Sequence, residues 1–244
     1  MVKINIIALG DIYPLDIDKL KKSTEKSKIF NIVSIQESIH SQILNKFEPQ
    51  INDNEFKIYF EELKNNNEVN INVIIVNRTL ENNFYTRLIY DNLIVISIHD
   101  IEVLNNVDGI TSEMFINRFL YAFSVIYDVY NKLDIRALDE LMQNNTKGCL
   151  FDTCVLKNQI TRFFRKPILC STVKETLNTK ILPKNYILDL QKEIKKLKIS
   201  DYYIFINWLK LNPKTSIILG GLATIPINYL SDILKYLFFK LICK

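Results

Sequence analysis

The sequence predicts an α/β fold: a small mixed sheet with packed helices, followed by an all-helical C-terminal region. Two observations carry this. The runs INVIIV (residues 71–76) and LIVISI (93–98) are β-branched and of strand length. They close a β-α-β-α-β-β order, after which the chain reads as helices.

Taken in order, Lys3 to Leu9 is a buried strand bounded by Gly10 and Pro14. Asp16 to Lys28 has helical spacing and ends in charges. Asn31 to Ser38 alternates apolar and polar residues, as a half-buried strand does. Phe56 to Leu63 suits a short helix, and Asn65, Asn66 and Asn67 suit a turn. From Ser112 to Tyr130, Phe115, Phe119, Phe123, Ile126 and Tyr130 recur every three or four residues, which predicts a long helix with one buried stripe. A core stripe is the plain reading, and a ligand pocket is the alternative.

Further on, Lys184 to Lys198 is a basic amphipathic helix with Tyr186, Leu190, Ile194 and Leu197 on one side. Asp201 to Leu211 is a second helix holding the only Trp, Trp208, and Asn212-Pro213 breaks the chain. The uncharged stretch from Ser216 to Leu230 is shorter than the ~20 residues a bilayer span needs. Extending it to Cys243 would place Asp232, Lys235 and Lys240 in hydrocarbon, at about 2.5–3.5 kcal/mol each near the centre. Beyond Pro226, Ile227, Leu230, Leu234, Leu237, Phe238 and Leu241 share one helical face. Residues 214–244 thus suit packing within the protein or a homo-oligomer, contact with a membrane interface, or a partner protein. The organisation expected is residues 1–180 as the α/β domain, 184–213 as a helical pair and 214–244 as apolar C-terminal helices.

A chain of 244 residues with 48% apolar and 24% charged residues can bury a sizeable core. The net charge of +4 is unevenly spread. Residues 184–244 carry ten Lys against four acids, and the remainder is slightly acidic. A basic last third suits an anionic surface such as lipid headgroups, or simply a solvated helical face. The charge is too mild, and basic-aromatic patterning too weak, to predict a nucleic-acid partner. The start, MVKINIIALGDIYP, lacks the features of a secretory signal. A cytoplasmic protein is therefore expected, free or at the inner face of a membrane, with Cys149, Cys154, Cys170 and Cys243 as reduced thiols or metal ligands.

Three of the four cysteines lie in CLFDTCVLKNQITRFFRKPILCSTV. GCLFD at Gly148–Asp152 and KPILCSTVKETL at Lys166–Leu177, together with the opening KINIIALGDI, resemble the archaemetzincins. These are zincin-fold zinc peptidases with the consensus HExxHxxGxxHC, then CVM, then CxxC. The resemblance implies a zincin-like sheet domain over residues 1–180. It places the peptidase helix on LDIRALDELMQN, with the three zinc-binding histidines at Leu133, Ala137 and Gln143 and the general-base glutamate at Asp134. Leu and Ala cannot bind a metal, and no HExxH motif occurs in the chain. Under this reading peptidase chemistry is lost. The family's structural zinc would fall on Asn144, Cys149, Cys170 and Val173, of which only two are thiols. A three-cysteine zinc site of Cys149, Cys154 and Cys170, with Asp152 or His99 as fourth ligand, is the alternative to plain buried thiols.

The two histidines, His40 and His99, stand in no recognisable Cys-His setting, and ILGGLA lacks the lysine of a phosphate loop. His99-Asp100, ending a predicted strand, is the one polar pair with chemical promise; a strand-end turn is the plainer reading. The function expected is a catalytically inactive, metzincin-like binding or sensing module with no cofactor and an apolar effector or anchoring tail, suited to bacterial defence. Arg136, Asp152, Lys166 and His99 are the polar residues expected around a ligand pocket. The alternatives are a hydrolase with a site of another kind, and a structural oligomer-forming or membrane-anchoring component.

Overall fold

The structure is a computed structural model that describes residues 1–38, 56, 57, 60, 61, 69–134, 136, 140–142, 148–152 and 157–218. The chain divides into two compact units, Met1–Ile199 and Ser200–Lys244.

The first unit is mixed α/β, built on a five-stranded sheet in the order β2-β1-β3-β5-β4. Its strands are β1 (Val2–Leu9), β2 (Phe30–Ser38), β3 (Ile71–Val76), β4 (Thr86–Tyr90) and β5 (Leu93–Ser97). β2, β1, β3 and β5 run parallel, and β4 is an antiparallel edge strand. Every residue of β3 and β5 is buried, as in a parallel sheet covered on both faces.

The sequence reading placed the four parallel strands within one or two residues but passed over β4. Its run TRLIY carries Arg87 in place of an alternating apolar pattern. It is preceded by Asn82 and Asn83, both with positive φ, in a short 3₁₀ turn (Glu81–Asn83). The Arg87 guanidinium is held by the Glu81 carbonyl at 3.0 Å and stacks on Phe84, 4.4 Å from the ring centre. Those contacts let an arginine sit on an edge strand.

Asn5, which interrupts the apolar run of β1, sits opposite Asn72 of β3. Its Nδ2 donates to Asn72 Oδ1 at 3.0 Å, and its Oδ1 accepts from Ser34 of β2. This polar ladder crosses three strands, buried at Asn5 and Asn72 and half-buried at Ser34. A one-residue slip would leave buried amides unsatisfied, so the ladder pins the register.

One face of the sheet is covered by α1 (Ile17–Thr24) and α3 (Ser112–Tyr130), and α6 (Tyr186–Lys195) packs on α3. α2 (Ile101–Asp108) leads into α3. α3 has the bounds that its aromatic spacing predicts, and 14 of its residues are buried. Phe115, Phe119 and Phe123 follow one another in ring contact, and Tyr85 meets Phe115 edge-on at 4.8 Å. Glu193 of α6 clamps this face: it accepts from Ser27 Oγ (2.7 Å), the Lys28 amide (2.8 Å) and Tyr121 Oη (3.0 Å). On the other face Ile7, Leu9, Ile74, Val76, Leu93 and Val95 pack against Phe56 and Phe60. Phe56, Lys57 and Glu61 are helical; the rest of the short helix expected at 56–63, and the asparagine turn after it, lie outside the described residues.

α3 runs against the parallel strands. Its first turn meets the carboxyl ends of the strands, where Glu113 Oε1 accepts the Asp16 amide at 3.0 Å. Its last turns reach the amino ends, where Tyr127 Oη takes a hydrogen bond from Asn70. Asn131 ends it in the left-handed conformation, and the Leu133 amide then bonds to Asp91 O in the β4–β5 turn at 2.7 Å. The chain next forms α4 (Thr161–Arg165) and α5 (Ser171–Asn178) before α6.

In the second unit, α7 (Asp201–Leu211) is followed by a short helical stretch at 213–218. None of the residues of α7 is buried, and Tyr202, Phe205, Trp208 and Leu211 are exposed. Among the described residues no helix is long and apolar enough to cross a membrane. The apolar run expected to contact a membrane, oligomer or partner lies outside the described residues from 219 onward.

Candidate functional site

The four residues expected to share a pocket occupy three separate places. Arg136 projects into solvent beyond the amino end of the sheet, with its guanidinium 3.4 Å from Asp134 Oδ2. His99 follows β5 at the opposite, carboxyl edge; its Nε2 is 3.4 Å from Asp100 Oδ1 and its amide bonds to Ser97 Oγ. Asp152 and Lys166 lie together in the cysteine segment. Lys166 is exposed and its peptide unit lies against Gly148, while Asp152 is buried.

Asp152 is a turn-former. Its Oδ2 accepts the amides of Gly148 (2.6 Å) and Cys149 (2.9 Å), closing the chain reversal at the head of the segment. Its carbonyl takes a hydrogen bond from Arg118 of α3 at 3.4 Å. The Arg118 guanidinium is buried between Phe119 and Phe163, 5.0 and 5.3 Å from the ring centres. A cation sealed between aromatic faces and a carbonyl fixes the cysteine segment to α3.

The positions that the archaemetzincin resemblance assigns to catalysis lie at the amino edge. Leu133 is 1% exposed and follows the end of α3 without itself being helical. Asp134 is a surface carboxylate. The Arg136 amide (2.9 Å), then Lys132 Nζ (3.1 Å) and the Arg136 guanidinium, hold it well below the usual range, at about 2. A general base works best with a pKa near the ambient pH, so a carboxylate so fixed is a poor one. Ala137 and Gln143 lie outside the described residues.

Zinc, which the resemblance implies, finds a poor donor set in the cysteine segment. Val173, at the position of one family thiol, is fully buried hydrocarbon. Among the described residues no group of three or more His, Cys, Asp or Glu side chains is placed to hold a metal. Asp152 spends one carboxylate oxygen on backbone amides. Two thiols remain, Cys149 and Cys170, while Cys154 and Asn144 lie outside the described residues. Burial pushes the Cys149 thiol up to about 12. These groups do not fit a four-coordinate structural zinc.

A different set of polar groups gathers at the carboxyl edge of the sheet. The chain leaves β1 toward β2 on one side and leaves β3 toward β4 on the other. The two loops therefore diverge above neighbouring strands. The first, Gly10–Asp16, starts with Gly10 at φ 75° and ends in Asp16, whose Oδ1 caps α1 by accepting the Lys19 amide. The second begins with Asn77 and Arg78. Asn77 Nδ2 donates to Tyr13 O at 2.8 Å and ties the loops together, while Ser97 Oγ donates to Arg78 O at 2.6 Å and ties in the end of β5.

Asp11, Tyr13 and Asp100 are exposed on this edge, and Arg78 and His99 are partly so. The Arg78 guanidinium makes no ion pair or hydrogen bond with any described residue. Glu113 supports the floor through Asp16 and through Lys19 Nζ at 3.3 Å. Burial acts to raise the Glu113 carboxyl, but hydrogen bonds from Thr111, two backbone amides and Lys19 outweigh it and hold it below the usual glutamate range. Asp11 and Arg78 escaped the sequence reading because no motif links them. The available sign was that each lies two residues beyond the end of a predicted strand.

No family model matches the chain, and no curated protein or solved structure is significantly similar to it.

Proposed function

We propose that residues 1–199 are a binding module whose ligand rests on the carboxyl edge of the sheet, between the loops that follow β1 and β3. The observation that carries this reading is their divergence above two neighbouring parallel strands. In open parallel sheets, ligands settle in the crevice that such a reversal of strand order creates. Among the described residues Arg78 supplies a cation without a partner, and His99 lies on the same edge, so the ligand is a small polar molecule with an anionic group. Asp11 and Asp100 suit a positive group on the same ligand. The scaffold is read as metzincin-like but without peptidase chemistry. A mixed sheet followed by a long buried helix supports the scaffold, and the core position of Leu133 with the pinned carboxylate of Asp134 supports the loss of chemistry.

The test is an amide NMR titration of the full chain with small phosphates, carboxylates and dipeptides. Shifts at residues 10–16, 77–80 and 98–100, lost in Arg78→Ala, are the expected result. Shifts centred on residues 132–141 would move the site to the opposite edge and overturn the proposal. Zinc-dependent cleavage of a fluorogenic peptide library, abolished in Asp134→Ala, would restore the peptidase.

A further inference from the structure

Two thiols of the cysteine segment, Cys149 and Cys170, stand on chain stretches that the backbone holds side by side. Cys149 pairs with Ile168 in a parallel bridge, with Leu150 N to Ile168 O at 3.0 Å and Ile168 N to Gly148 O at 3.1 Å. Past that bridge the Cys170 amide donates to Cys149 Sγ at 3.3 Å. A sulfur that close to the backbone of the second cysteine is within rotamer reach of its side-chain sulfur, as disulfide geometry requires. Cys170 is partly exposed, whereas Cys149 is sealed in the core. Where the resembled family gathers four thiolates for zinc, this segment keeps two at the matching positions, beside a buried valine.

We propose that Cys149 and Cys170 form a reversible oxidation site, converted by a hydroperoxide to a disulfide that closes the 149–170 segment. This stands apart from the ligand edge and does not rest on it. The exposed Cys170 thiolate attacks one peroxide oxygen and the O–O bond breaks. With hydrogen peroxide this leaves a sulfenic acid on Cys170 and releases water. Cys149 Sγ then attacks Cys170 Sγ. The S–O bond breaks, and the departing hydroxide takes the Cys149 proton and leaves as a second water. Two thiols and one hydrogen peroxide give one disulfide and two waters, with both sulfurs oxidised and the peroxide oxygens reduced. The Arg118 and Asp152 contacts keep the head of the segment on α3 in either state, so the bond would stiffen the segment and leave its docking intact.

The experiment treats the full chain with hydrogen peroxide and maps its peptides without reduction. The expected product joins the Cys149 and Cys170 peptides with loss of two hydrogen atoms. It also appears in the Cys154→Ser/Cys243→Ser double variant. The melting temperature of the wild-type chain rises by roughly 5–10 °C, and dithiothreitol reverses the rise. Cys170→Ser, at a partly exposed position, keeps the reduced melting temperature but shows no rise. A crosslink to Cys154 in place of either cysteine would overturn the proposal, as would a sulfinic acid on Cys170 with Cys149 left reduced. Stoichiometric zinc in the purified protein that shields both thiols from peroxide would also overturn it.

Discussion

Two helices of this chain, α3 (Ser112–Tyr130) and α7 (Asp201–Leu211), are about equally rich in aromatic and aliphatic residues, yet their surroundings differ completely. α3 is capped at its start by Thr111 Oγ1, which accepts the Met114 amide, and at its end by left-handed Asn131. Its Tyr121 is held by Glu193, and most of its side chains are buried. α7 begins at Ser200 with no side-chain cap and has no buried residue. Apolar content alone therefore does not decide what a helix contributes. α3 gains its stability from a sheet, a buried clamp and two caps, whereas α7 is at most half-buried and leaves Tyr202, Phe205, Trp208 and Leu211 exposed. A helix that is apolar on every side normally lies against something.

The sharpest way to break this contrast is truncation of one aromatic on each helix. Phe115→Ala should cost about 3–5 kcal/mol in denaturant unfolding, because it opens a cavity in a sealed ring stack. Phe205→Ala should change stability by no more than about 0.5 kcal/mol, the usual effect of a surface change. A loss at Phe205 comparable to that at Phe115 would mean that α7 is covered after all. The caps give a smaller contrast. Thr111→Ala removes a hydrogen bond to a first-turn amide and should cost about 1 kcal/mol, while Ser200→Ala should be nearly silent. Equal costs would erase the distinction between the two helix starts.

The smallest effect belongs to Asp134, just beyond the end of α3. Its folded-state pKa, at about 2, is depressed below the ordinary aspartate value of 3.8. A depressed carboxylate stabilises the folded state above its unfolded pKa and loses that contribution as pH falls through the folded value. The contribution should be complete above about pH 4 and fade toward pH 2. A carboxyl-carbon NMR titration should place the Asp134 midpoint near 2, and Lys132→Ala should raise it. A midpoint near 4 in the wild-type chain would show that the pair beyond Asn131 does not hold.

The periodic parts of this fold were legible. Phe115, Phe119 and Phe123 announced α3, and the β-branched runs announced β3 and β5, because a single environment along an element imposes a regular pattern. β4 was not legible, since Arg87 is held there by the Glu81 carbonyl and the Phe84 ring, contacts that no spacing encodes. The site was less legible still. Arg136 and His99 were grouped by chemical promise, yet α3 crosses the whole sheet between them and sends them to opposite edges. The loops that carry Asp11 and Arg78 are joined only because β1 and β3 are neighbours, and strand order is a property of the assembled sheet. The cysteines were noticed as a cluster; their pairing depended on the bridge between Cys149 and Ile168, which no count of intervening residues reveals.

Gly148 adopts φ 94°, and a Cβ added there would stand 2.6 Å from Lys166 O. Its bare Cα is what allows the stretch carrying Cys149 to lie flush against the stretch carrying Cys170. Even a single methyl group at this point would act as a wedge and force the two stretches apart while leaving every sulfur atom in the protein. The spacing of the thiols is thus controlled by a residue that has no side chain of its own.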